Sequence, residues 1–313
     1  MDYLLVVGGL ALLVAGGEVL IRGSVGIAER FGLSRALIGV LLLGFGTSMP
    51  EFVATFGAAA KGADDIAFGN VLGSNIANIL MILGVSALIL PIATQMREVR
   101  RDAVFVMASS VGCMAWILVG GIPTLGAAAL VAAFAAYLVL SIRADLALPP
   151  DAADASATPK PVLLSLAMAL AGVALLVAGA EGLIRGAGAI ARGFGVSEAL
   201  IGITVVGIGT SLPEATASIL ASIKRENTLA FANIVGSNIF NGLAILGVTG
   251  LVFPLGFDVS AAGFSALDGV VLLAATALMF VFAVTHRKVV RWEAAVMLAG
   301  YAAYLAWLVS RAL

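Results

Sequence analysis

Gly46-Thr47-Ser48-Met49-Pro50-Glu51 decides the fold, because it places a carboxylate where no protein in water would need one. It lies inside the apolar run Ala36 to Ala60, bounded by Arg35 and Lys61, in which Glu51 is the only charge. The same words return 163 positions later as Gly209-Thr210-Ser211-Leu212-Pro213-Glu214, in a second run bounded by Glu198 and Lys224. The two carboxylates read as halves of one cation site.

Composition identifies the solvent around that pair. Of 313 residues, 62% are apolar and only 11% are charged, which is the balance of a polytopic membrane protein. A spanning helix takes roughly 20 mostly apolar residues. Walking the chain with that ruler gives ten spans, at 3–21, 36–60, 66–91, 102–120, 122–142, 162–184, 199–223, 229–254, 265–285 and 292–310. The one composition break, Ala144 to Pro161, is rich in Pro, Ala, Asp and Ser. It divides the chain into a first membrane repeat, 1–144, a linker, 145–161, and a second membrane repeat, 162–313. The first span begins almost at Met1 without a basic leader, so it reads as a retained helix and not a cleaved signal.

Several function classes fall away. A net charge of −1 gives no basic surplus for nucleic acid. One histidine, His286, rules out a HExxH zinc site, and no GxSxG elbow occurs, so neither an enzyme nor a cofactor is expected. His286 itself reads as a solvated loop residue, and the single Cys113 as a core thiol.

Lys and Arg then orient the spans, since cytoplasmic loops carry the excess. Thirteen of the 17 fall in loops after odd-numbered spans and four on the other side. Both termini are therefore expected outside, and the linker in the cytoplasm.

Residues 16–92 align with 179–255 without a gap, with 39 of 77 positions identical. That is a duplication. Five spans separate Glu51 from Glu214, and five is odd, so the two copies cross the bilayer in opposite senses. Inverted repeats with interrupted helices at matching positions mark secondary transporters, whose substrates bind near the midplane.

The neighbours of each acid have assignable jobs. Pro50 lacks an amide hydrogen, and Gly44 and Gly46 tolerate non-helical backbone, so the helix should break near Thr47. In lipid such a break is tolerated only where the freed carbonyls are buried in protein or face a cavity. Glu51 then falls in the first turn of the second half-helix, where the dipole favours the ionised form. Gly207 to Glu214 repeats the arrangement. The third span adds Asn70, Ser74, Asn75 and Asn78 on adjoining helical stripes, and the eighth adds Asn233, Ser237, Asn238 and Asn241. Carboxylates, amide oxygens, hydroxyls and carbonyls are a hard set suited to calcium or sodium.

An ionisable residue at mid-membrane costs roughly 2.5 to 3.5 kcal/mol and is functional by default. Blander readings serve elsewhere. Ser24, Ser265 and Thr276 read as glue between helices, and Asn70 and Asn233 as residues that only pack. Glu18 with Arg22, and Glu181 with Arg185, read as helix-end ion pairs at i, i+4, with a gating or ion-entry role as the alternative. Asp64, Asp65, Asp258 and Asp268 read as solvated.

The two GTSxPE words, each followed by a GSNIxN word (Gly73 to Asn78 and Gly236 to Asn241), closely resemble the alpha repeats of the sodium/calcium exchanger family, of prokaryotic type. The resemblance implies an all-α membrane protein of ten transmembrane helices in two inverted five-helix repeats, with helices 2, 3, 7 and 8 broken. It implies that Glu51 and Glu214 are the central calcium ligands, with the carbonyls of Thr47 and Thr210. It also implies that Ser48, Ser74, Ser211 and Ser237, with the carbonyls of Gly44 and Gly207, shape flanking sodium sites, and that Asn78 and Asn241 line the middle. Asn241 stands where several relatives, including the potassium-dependent branch, carry Asp, which argues against potassium dependence. Proton-coupled relatives usually carry a GNxxE word, so GTSxPE favours sodium coupling. The expected function is a sodium/calcium antiporter of the plasma membrane, working by alternating access as a monomer without a protein partner. A proton-coupled antiporter and a cation channel are the rival expectations.

Overall fold

Helices built from apolar runs make up nearly all of the computed structural model, which describes residues 1–147, 161–194, 207–256 and 265–312. They are α1 (Asp2–Phe31), α2 (Arg35–Thr47), α3 (Met49–Ala59), α4 (Asp64–Ile89), α5 (Met96–Val119), α6 (Thr124–Leu146), α7 (Val162–Gly193), α8 (Leu212–Ile223), α9 (Asn227–Val252), α10 (Ala266–Thr285) and α11 (Arg291–Ala312). Among the described residues, eight are long and apolar enough to cross a bilayer. A ninth span is α2 with α3, bent by 45° at their junction. Of the seventh expected span, 199–206 lies outside the described residues, and the rest forms a turn at Gly207–Gly209 followed by α8.

Helices α1 and α7 run about ten residues past their expected ends. Hydropathy fades at Glu18 and Arg22, and at Glu181 and Arg185, but nothing there breaks a helix. The backbone ends α1 only at Gly32, whose left-handed conformation (φ 63°) lets its amide bond to the Ala28 carbonyl. The two long helices lie antiparallel along glycines spaced by seven. A Cβ on Gly9 would fall 2.7 Å from the Gly179 carbonyl oxygen, one on Gly16 2.8 Å from the Leu176 amide, and one on Gly23 2.5 Å from the Ala169 amide. Small residues of this kind allow backbones to meet where no hydrophobic effect drives helices together.

Helices α4 and α9 are the most enclosed spans. The expectation that the third and eighth spans are broken is corrected here. The prolines of these spans, Pro91 and Pro254, lie past the helix ends, and each helix continues through a π turn, Asn78–Ile82 in α4 and Phe240–Ile245 in α9. A third π turn, Gly39–Gly44, lies inside α2. Such turns rotate the side chains that follow without releasing the backbone ladder, and they gather at functional sites.

Short two-residue ladders tie loops together: Ile92–Ala93 with Lys288–Val289, and Gly121–Ile122 with Leu255–Gly256. Three smaller expectations also change. Asp268 is buried, not solvated, because it completes a capping box with Ser265 and accepts a 2.6 Å bond from the Tyr304 hydroxyl. Ser265 is accordingly a helix cap and not interhelical glue. Helix α6 extends to Leu146, so Asp145 belongs to it and not to the linker; its carboxylate accepts from the Ser34 amide at 3.1 Å. Residues 148–160 of the linker, with Lys160, and also Glu198 and Asp258, lie outside the described residues. Thr276 does join helices, through a 2.9 Å bond with Ser110, Cys113 is buried, and His286 stands half exposed with Nδ1 3.5 Å from Glu293.

Candidate functional site

The α2–α3 break occurs where the sequence places it. Thr47 ends α2, Ser48 leaves the helical region (φ −83°, ψ 9°), and Pro50 sits in the first turn of α3 with Glu51 behind it. Ser211 does the same before α8 (φ −87°, ψ 7°), followed by Pro213 and Glu214. Each acid therefore stands at a half-helix N-terminus, where the backbone dipole favours negative charge. Both are fully buried.

Their hydrogen bonds cross from one half to the other. Ser48 donates to Glu214 Oε1 at 2.7 Å, and Ser211 donates to Glu51 Oε1 at 3.4 Å. The reciprocal pattern brings the two carboxylates to one place. Their remaining oxygens, Glu51 Oε2 and Glu214 Oε2, have no hydrogen-bond partner, nor do the amide oxygen and nitrogen of Asn78 and of Asn241. A buried polar atom left unpaired costs about 1 to 3 kcal/mol, and folded proteins contain few of them. Among the described residues, half of the 18 such atoms lie on the two pairs of duplicated words, including every unpaired amide nitrogen, and most of the rest are single serine and threonine hydroxyls elsewhere. Carboxylate and amide oxygens without donors are what a hard cation replaces water with.

The other expected residues lie on α2, α4, α9 and the turn before α8. Thr47 Oγ1 is 2.8 Å from the Leu43 carbonyl and 3.3 Å from Asn233 Oδ1, while Thr210 Oγ1 is buried without a partner. Ser74 and Ser237 are buried on α4 and α9, and Ser237 donates to the Gly44 carbonyl at 3.1 Å. That carbonyl also receives the Ser48 amide at 3.3 Å, so both its lone pairs are engaged in this conformation. Gly207 opens the single turn before Ser211. Gly44 and Gly236 touch backbone to backbone, at 2.8 Å for a Cβ placed on Gly44, which locks α2 against α9.

Asn70 and Asn233 do more than pack. Asn70 Nδ2 reaches the Glu51 carbonyl (3.4 Å) and Thr55 Oγ1 (3.0 Å), and Asn233 Nδ2 reaches the Glu214 carbonyl (3.3 Å) and Ser218 Oγ (2.7 Å). Each asparagine thus braces the backbone of one acid from the neighbouring helix. Thr55 and Ser218 occupy matching repeat positions, but their differing residue types form no repeated word that marks them. Asn75 joins the halves by an Nδ2 bond to the Asn238 carbonyl at 3.5 Å. Ser109 on α5, buried with an unpartnered hydroxyl against Gly242, carries no motif that could have marked it.

With this geometry in view, likeness to known proteins can be weighed. The family model for "Sodium/calcium exchanger protein" matches residues 1–143 and 164–310. CaxA from Alkalimonas amylolytica is 34% identical over 308 residues, covering 95% of each chain. The sodium/calcium exchanger MaX1 from Methanosarcina acetivorans is 27% identical with 97% of each chain covered. Among solved structures, the sodium-calcium exchanger NCX_Mj soaked with zero sodium and calcium superposes with a TM-score of 0.84 at 30% identity, covering 98% of both chains. Those matches span the chain from the first helix to the last and include both duplicated motifs, and the chain belongs to the sodium/calcium exchanger family.

Proposed function

We propose that this cation/calcium antiporter exchanges sodium for calcium by alternating access, with Glu51 and Glu214 as the shared ligands. One observation carries the reading: two fully buried acids from the two halves, each held by the other half's serine, keep one carboxylate oxygen apiece unpaired, and the equally unpaired amides of Asn78 and Asn241 sit on π turns packed against the half-helices that carry the acids. Two carboxylates balance one calcium ion or two sodium ions, so the ions compete for the same charge. The Thr47 and Thr210 carbonyls would complete the calcium shell, and Ser48, Ser74, Ser211 and Ser237, with Gly44 and Gly207, would shape the flanking sodium positions. A third sodium ion makes exchange electrogenic, with each net charge worth about 2.3 kcal/mol per 100 mV.

The architecture in this proposal is ten crossings in two inverted halves, 1–144 and 162–313, joined by a cytoplasmic linker, with both termini outside and the chain in the plasma membrane. Contacts between loops support it. The ladder Ile92–Ala93 with Lys288–Val289 joins loops after the third and ninth spans. The other ladder, Gly121–Ile122 with Leu255–Gly256, joins loops after the fourth and eighth. Arg35 with Glu226 links the first and seventh, and Asp64 with the Gly256 amide links the second and eighth. Odd loops meet odd loops and even meet even, as ten crossings require.

Proteoliposomes loaded with sodium and diluted into sodium-free calcium medium test the reading. Calcium uptake should follow the sodium gradient and stop when the gradient is collapsed. Uptake driven by a pH gradient in the absence of sodium would move the coupling to protons, and calcium flux with no counter-ion at all would make the chain a channel.

A further inference from the structure

The duplication makes a demand that the structure meets on only one side. Glu18, Arg22 and Lys224 have the repeat partners Glu181, Arg185 and Lys61, each 163 positions away. Glu18 on α1 binds both Arg22 and Lys224, the latter at 2.5 Å from Oε2 to Nζ. Lys224 follows α8 directly, so this pair fastens α1 to the half-helix that carries Glu214. The matching pair is unmade. Glu181 binds Arg185 and stands 53% exposed, against 29% for Glu18, and Lys61 is exposed with no acidic partner among the described residues.

Packing shows the same asymmetry independently. A Cβ on Gly17 of α1 would lie 2.7 Å from Leu220 Cδ1 and 3.2 Å from Thr216 Cγ2, so α1 is pressed onto α8. The repeat partners of Thr216 and Leu220 are Val53 and Gly57 on α3. Val53 is 68% exposed, and no atom of the described residues lies within 4 Å of a Cβ on Gly57. Helix α7 is therefore drawn away from α3 at the Lys61 end while α1 is closed onto α8 at the Lys224 end. In an inverted duplication, the opposite-facing state is reached when the two halves exchange conformations.

We propose that Glu18–Lys224 and Glu181–Lys61 are alternating ion-pair latches, one for each membrane face, made and broken in turn as the α1–α7 pair moves over the half-helices. The inference rests on the exchanger reading. Partly exposed ion pairs are weak, and weakness suits the task. A latch has only to bias two states of similar free energy, and the pair lost at one face is replaced by the pair gained at the other. Neither state becomes a trap, and removing one latch tips the balance toward the face that the other closes.

Disulfide trapping of a Val53→Cys/Ala180→Cys pair, in a Cys113→Ala background and in native membranes, tests this. These positions mirror Thr216 and Gly17, so they meet only when the Lys61 end is closed. Lys224→Met should speed trapping about two- to fivefold, the range open to one exposed ion pair. Lys61→Met should slow it by a similar factor, and the swapped pair Glu18→Lys/Lys224→Glu should restore the starting rate, which also controls for misfolding. Equal rates in the two methionine variants, a shift of both in one direction, failure of the swap to restore the rate, or no trapping in any background would overturn the proposal. Calcium uptake by the unmodified protein is measured separately, so loss of the exchanger reading and loss of the latches give different results.

Discussion

At Glu51 and Glu214 one carboxylate oxygen is held by a serine from the opposite half and the other has no protein donor. Replacing either acid by glutamine keeps the shape and removes half the charge that faces the cation. Glu51→Gln and Glu214→Gln should each raise the calcium half-saturation by at least ~100-fold, about 2.8 kcal/mol at 1.4 per decade, as read by isotope uptake. The serines should rank by geometry. Ser48→Ala, which removes a 2.7 Å bond to a carboxylate, should weaken calcium binding by about 1.5 to 3 kcal/mol, and Ser211→Ala, at 3.4 Å, by less. Much of this scale was readable in advance, because a charge in an apolar run has a cost that demands a reason. Thr55 and Ser218 were not readable. Their hydroxyls matter only through Asn70 and Asn233, and a bond between helices leaves no trace in local sequence.

Among the elements, proline was a reliable guide, while Gly44 and Gly46 stay helical and hydropathy misplaced helix ends. Pro50 and Pro213 located the breaks before Glu51 and Glu214, but spans ended before Arg22 and Arg185 fall short of helices that run on to Phe31 and Gly193. The π turns at Asn78 and Phe240 were invisible, since they follow from packing and not from any residue preference. The tight seam between α2 and α9 leads to a paired prediction. A Cβ on Gly236 would lie 2.8 Å from the Val40 backbone, while no atom of the described residues lies within 4 Å of one on its repeat partner Gly73. Gly236→Ala should therefore destabilise this state by about 1 to 3 kcal/mol, the usual cost of overpacking, and Gly73→Ala by much less. Thermal unfolding in detergent compares the two, and equal losses would mean that the seam is not as close as drawn.

For the whole molecule, the duplication and the parity of the loops were present in the residues, but the broken symmetry was not. Identical words such as GTSxPE describe what the halves share, and the face to which the chain opens depends on how α1 and α7 sit over the half-helices. The proposed three-sodium cycle has a consequence at this scale. Clamping the vesicle potential 100 mV in the favourable sense should accelerate calcium uptake severalfold, because one net charge moves through a field worth about 2.3 kcal/mol. A rate indifferent to potential would mean two sodium ions per calcium. The central claim is that two acids from opposite halves make a single cation site, and anomalous diffraction from crystals grown in calcium tests it most directly. One calcium peak between Glu51 and Glu214, displaced on soaking in sodium, is the predicted result; calcium bound elsewhere, or at separate positions on each acid, would contradict it.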